Sequence, residues 1–141
     1  MKKNQGDLIN QSKKVTEFSF ATVHWADEDS GILYTKSKPT NDLTIEDMAN
    51  AFEIYNIDYK HPRRKLLADV AKRNNLSKQA RNFVLGPEGV FNYFEAIAVL
   101  DKSGLSATAL IANIIIKIIP LRKPVKVFHN EQEAIDWLKK I

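Results

Sequence analysis

Ser77 opens a helix-forming stretch, and Lys72, Arg73, Lys78 and Arg81 all lie within five residues of it. Such a grouping offers anion binding. A helix N-terminus presents free amide N–H groups and the positive end of the dipole, and four cations add charge. The simplest role for Ser77 is an N-cap, with its hydroxyl accepting from an amide of the first turn. The two roles are compatible. Other reactive residue types are scattered. His24, His61 and His129 stand far apart, without the spacing of a metal site. Asp69 and Asp101 end two apolar runs, where open α/β sheets usually bind ligands and where turns and caps also recruit carboxylates. Gly86 and Gly89 flank Pro87 and Glu88 in a turn, not in a phosphate loop. No carboxylate pair is placed for acid–base work. The chain has no cysteine, hence no thiolate chemistry and no disulfide. The expectation is a protein that is not an enzyme and has no cofactor and no metal.

The elements that position these residues must come from one domain, since 141 residues fall within the usual ~100–200 per domain. Residues 1–15 are polar and aperiodic and read as a flexible tail, which leaves 16–141 as the folded unit. Lys2 and Lys3 are followed by Asn4, Gln5, Gly6 and Asp7 where a signal peptide would be apolar. The most apolar run, 105–119, is shorter than the ~20 residues of a spanning helix, so a cytoplasmic protein is expected.

The net charge of +4 hides two opposed segments. Residues 24–58 carry eight acidic side chains against two basic ones, whereas 60–81 carry eight basic ones against Asp69 alone. Two charged surfaces that neutralise each other, within the molecule or across a dimer, are the plainest reading. The basic segment lacks interleaved aromatics for base stacking, so no nucleic-acid partner is expected.

Hydrophobic spacing sets the elements. Residues 18–25 and 32–35 form a hairpin around Asp27, Glu28, Asp29, Ser30 and Gly31. Thr44 with Asp47 makes a capping-box variant, and Ile45, Met48, Ala49, Phe52 and Tyr55 recur at helical spacing behind it. Residues 66–70 and 96–101 are apolar runs suited to strands covered on both faces. Helices follow over 77–85 and 106–119, with 90–94 a last helical turn or a connector. Strand 125–128 runs into a closing helix capped by Asn130, with Glu131 and Glu133 at its start and Lys139 and Lys140 at its end. Strands alternating with helices give an α/β fold: a mixed sheet of about five strands, opened by a hairpin and flanked by helices.

That order, and the closing run Phe128, Asn130, Glu131, Glu133, Ala134, Trp137, Leu138, resembles small bacterial proteins of unknown function with a SpoIIAA-like (STAS-like) fold, common in Bacteroidetes. The resemblance covers about 17–141 and implies a cytoplasmic interaction or regulatory module. The broader fold includes anti-sigma-factor antagonists and lipid-binding SEC14-like relatives. In the antagonists a phosphorylatable serine opens the helix after the central strand, which implies a phosphoacceptor role for Ser77. Here Asn74, Asn75 and Leu76 precede it and Lys78 follows, so the acidic residue and the glycine of the family pattern are missing.

The helix over 106–119 has a narrow polar stripe of Ser106, Asn113 and Lys117, and is otherwise apolar. A helix on a sheet needs only one apolar stripe, so Leu110, Ile111, Ile114, Ile115 and Ile118 form a candidate surface for a second copy or an apolar ligand. The leading expectation is a non-enzymatic, homodimeric module that binds itself and a protein partner. The runner-up is a carrier of a small apolar or lipid-like ligand.

Overall fold

Alternation governs the first long strand. Across Ala21–Asp27, buried Ala21, Val23 and Trp25 alternate with half-buried Thr22, His24 and Ala26, the signature of a strand with one face in the core. The computed structural model describes residues 14–70, 74–86, 89–102 and 123–141.

Six strands form the main sheet: β1 (Val15–Glu17), β2 (Ala21–Asp27), β3 (Ile32–Ser37), β5 (Lys65–Asp69), β7 (Ile97–Leu100) and β8 (Val125–Phe128), in that spatial order. The first three are antiparallel and the last four parallel. Two further strands, β4 (Thr40–Leu43) and β6 (Asn74–Leu76), pair in parallel as a separate ribbon. The helices are α1 (Ile45–Asp58), α2 (Lys78–Leu85), α3 (Val90–Tyr93) and α4 (Glu131–Lys139). No described helix is long and apolar enough to cross a membrane.

The two faces bury different side chains. Val23, Trp25, Leu33, Leu66, Ile97 and Val99 pack with Phe52 and Tyr55 of α1 and with Val90 and Phe94. Ile32, Tyr34, Leu67, Ala98, Leu100 and Phe128 pack with Ala134 and Leu138 of α4. Leu66 and Leu67 thus serve opposite cores, which explains why the parallel strands read as unbroken apolar runs.

Local signals set the boundaries. Thr44 caps α1 through a complete capping box: its hydroxyl accepts from Asp47 N at 3.2 Å and its own N–H donates to Asp47 Oδ2 at 3.1 Å. Gly31 takes φ +74 in the β2–β3 turn, where a Cβ would lie 2.5 Å from His61 Nδ1 and 2.7 Å from Arg63 O. Asn130 caps α4, accepting from Glu133 N at 3.0 Å.

The mixed sheet opened by a hairpin is present, with corrections. Among the described residues it has six strands, in keeping with the expected five or so. One of them, β1, pairs Val15 with His24 and so begins inside the expected tail. The first long strand runs Ala21–Asp27, later than 18–25, because Phe18 and Phe20 stack on each other at 5.1 Å in the connection before it. Residues Thr40–Leu43, which carry the turn-favouring pair Asn41 and Asp42, form β4; its ladder partner β6 supplies an order the local composition does not suggest. Residues 90–94 include the short helix α3. The expected helix over 106–119 lies outside the described residues.

Candidate functional site

At the carboxyl ends of the parallel strands, a line of polar side chains crosses the α4 face of the sheet. Asp69 ends β5 and is buried, with 2% of its surface exposed. Tyr34 of β3 lies beside that strand and donates its hydroxyl to Asp69 Oδ2 at 2.7 Å. Lys102, just past β7, puts Nζ 3.7 Å from Asp69 Oδ2 and 3.7 Å from Glu131 Oε1 at the start of α4. On the other side His24 of β2, directly opposite Tyr34 in the register, stacks on its ring at 5.1 Å. Three strands, the segment just past β7 and a helix start are thereby linked through side chains.

The electrostatics of this line favour fixed charge over reactivity. Burial and the hydrogen bond to Asp69 push the Tyr34 phenol well above the ordinary tyrosine range, so it keeps its proton at neutral pH. Asp69 is held by a donor and faces an ammonium, an arrangement that orients a carboxylate without making it a nucleophile. Asp101, equally buried, gives its main-chain oxygen to His129, whose Nδ1–H donates at 2.8 Å. His129, which follows β8, is therefore tied to the end of the neighbouring strand β7. Glu131 and Glu133 lie in the first turn of α4, where the dipole favours them.

The residues singled out in the sequence fall in different places. Ser77 is the N-cap of α2, its hydroxyl accepting from Ala80 N at 3.1 Å, and Lys78 beside it is exposed. Arg81 belongs to α2, while Lys72 and Arg73 lie outside the described residues. Leu110, Ile111, Ile114, Ile115 and Ile118 also lie outside them. His24, His61 and His129 are not brought together, and no group of three or more metal-binding side chains occurs among the described residues. Asp69 and Asp101 do end adjacent strands, as the sequence suggests. Tyr34 and Lys102 carry no local signal; only the β3–β5 pairing and the turn after β7 bring them to Asp69.

A family model described as a domain of unknown function (DUF7793) matches residues 25–141. No curated protein matches the chain. Among solved structures, the chain is similar to an uncharacterised protein of the DUF3478 family from Shewanella loihica PV-4, which has a SpoIIAA-like fold. The two share 19% identity with a TM-score of 0.50, over 90% of this chain and 92% of that one. The likeness shows the fold alone.

Proposed function

This chain belongs to the DUF7793 family, and we propose that it is a cytoplasmic, non-enzymatic interaction module of SpoIIAA-like fold that works as a homodimer. The observation that carries the reading is the Tyr34–Asp69–Lys102–Glu131 line. It stands at the strand ends where α/β sheets meet ligands, yet its members are engaged with one another. Its buried members, Tyr34 and Asp69, hold the exposed pair Lys102 and Glu131 in place, which makes a charged docking surface rather than a reactive centre.

Dimerisation is supported by the apolar surplus of 105–119. Isoleucine side chains each favour burial by roughly 1.5–3 kcal/mol, and one two-fold contact covers the same patch on both copies. Light scattering should report a dimer for the wild type and a soluble monomer for Ile115→Glu. A wild type that stays monomeric at high concentration would overturn the homodimer.

The same apolar surplus favours a second reading, a carrier of a small apolar or lipid-like ligand. Solvent extraction of the purified protein followed by mass spectrometry separates the two. A stoichiometric lipid selects the carrier, and its absence leaves the interaction module.

A further inference from the structure

Arg64 makes four hydrogen bonds, and none of them goes to an acid. Its Nε donates to Tyr93 O at 3.1 Å, Nη1 to Tyr55 O at 2.6 Å and Tyr59 O at 3.1 Å, and Nη2 to Asn56 Oδ1 at 2.7 Å. The rings of Tyr93 and Phe94 lie 5.8 and 5.7 Å from the guanidinium carbon. All these partners are neutral. The positive charge therefore persists, with no acid among its hydrogen-bond partners, in a half-buried position. Burial lowers the Arg64 pKa from its ordinary value, but an arginine stays protonated at neutral pH.

Beside Arg64 lies an open depression of about 360 Å³, lined by Asn56, Lys60, His61, Pro62 and Arg64. Lys60 is exposed and has no ion-pair partner among the described residues. Asn56 spends its oxygen on Arg64, which leaves its NH2 as the outward end. Both nitrogens of His61 are committed: Nδ1 accepts from Arg63 N at 3.0 Å, so Nε2–H donates to Asp29 O at 3.2 Å. The neighbouring acids are engaged too, Asp58 by Lys14 at 3.0 Å and Glu95 by Arg63 at 3.0 Å. The carbonyls that end α1 would repel an anion, but Arg64 already occupies those of Tyr55 and Tyr59. Among the side chains that line the depression, Asn56, Lys60 and Arg64 bring hydrogen-bond donors and positive charge.

We propose that this depression binds the phosphate group of a small molecule. A planar carboxylate is gripped best by the two-pronged fork of an arginine, and the fork of Arg64 is spent on main-chain carbonyls. The remaining donors are the Lys60 ammonium, the Asn56 NH2 and the second N–H of Arg64 Nη2. They are separate groups on separate residues, which suits a tetrahedral anion with several oxygens. The volume lies at the small end of the ~300–1,000 Å³ typical of ligand sites. Ser77 N donates to Leu43 O at 3.2 Å, beside the start of α1, so the depression stands at the far end of that helix from it, roughly 18 Å away. It shares no residue with the docking surface proposed above.

The test is an NMR titration of the full ¹⁵N-labelled chain with inorganic phosphate, matched in ionic strength with sodium chloride. Saturable shifts are expected in the Asn56 side-chain amide and the main-chain amides of residues 60–64. Lys60→Gln, which removes an exposed charge and leaves the fold intact, should weaken binding by at least about five-fold, or roughly 1 kcal/mol. Lys78→Gln, at the start of α2, should leave it unchanged. Glycerol 3-phosphate should bind at least as tightly, because the open side of the depression accommodates the rest of an ester. Shifts that chloride reproduces, affinity indifferent to Lys60→Gln, or exclusion of the ester would each overturn the proposal.

Discussion

The Tyr34 hydroxyl and the Asp69 carboxylate, 2.7 Å apart, join the strand that ends the antiparallel half of the sheet to the first strand of its parallel half. Both residues are buried, so the bond is made where water cannot replace it. Tyr34→Phe removes the donor but keeps the ring that stacks on His24. The expected cost is about 1–3 kcal/mol in urea unfolding, the penalty for depriving a buried acceptor of its donor. A change below about 0.5 kcal/mol would mean that the other contacts of Asp69 suffice.

Alkaline pH should expose the same relationship. Burial and Asp69 raise the Tyr34 pKa, and burial raises that of Tyr55 above the usual value near 10. Because the folded values are raised, the stability these phenols contribute is complete below pH ~10 and declines as pH climbs toward the folded values. The melting temperature should therefore fall above pH ~10, and less steeply in Tyr55→Phe. Ultraviolet titration of the folded protein should show Tyr34 and Tyr55 ionising above the ordinary tyrosine range. A melting temperature unaffected between pH 9 and 11 would contradict this.

Ser77 should matter to stability rather than to any reaction. Ser77→Ala loses the bond from Ala80 N and should cost ~0.5–2 kcal/mol. Ser77→Asp should be tolerated, since aspartate also caps and suits the dipole. A neutral alanine variant, together with an aspartate variant that loses a pull-down partner, would instead favour a phosphorylation switch.

Gly31→Ala should be among the most damaging single-methyl additions. The backbone sits at φ +74, and the new Cβ would meet His61 Nδ1 at 2.5 Å and Arg63 O at 2.7 Å. A loss of about 2 kcal/mol or more is expected from unfolding curves. His61→Ala in the same chain should recover only part, because the Arg63 carbonyl remains in the way. Full recovery would assign the whole strain to the imidazole.

Legibility in the sequence followed the range of the interaction. Caps at Thr44, Ser77 and Asn130 depend on residues three apart, and all three are where local chemistry puts them. The buried strands announce themselves through Leu66, Leu67 and the 97–100 run. β4 could not be read, because Thr40, Asn41 and Asp42 favour turns and only the distant β6 makes them a strand. The site was half legible. Asp69 and Asp101 stand out as acids ending apolar runs, whereas Tyr34 looks like ordinary strand packing and Lys102 like a solvated lysine. Arg64 reads as one more member of a basic segment, and only its partners reveal a neutral cage.

The main sheet is laid down in reading order, β1, β2, β3, β5, β7, β8, each strand joining the outer edge of what precedes it. No strand has to be threaded between two already paired, so a chain leaving the ribosome can build the sheet by accretion, with the growing rim always the newest strand. Helix α4 is made after every strand of this sheet. Lys65, in the middle of the chain, donates to Leu138 O at 2.8 Å and ties the end of α4 to the start of β5. That bond is a latch fastened onto a strand made long before, so a chain stalled short of α4 would leave the Ile32, Leu67 and Leu100 face bare for quality-control machinery to find.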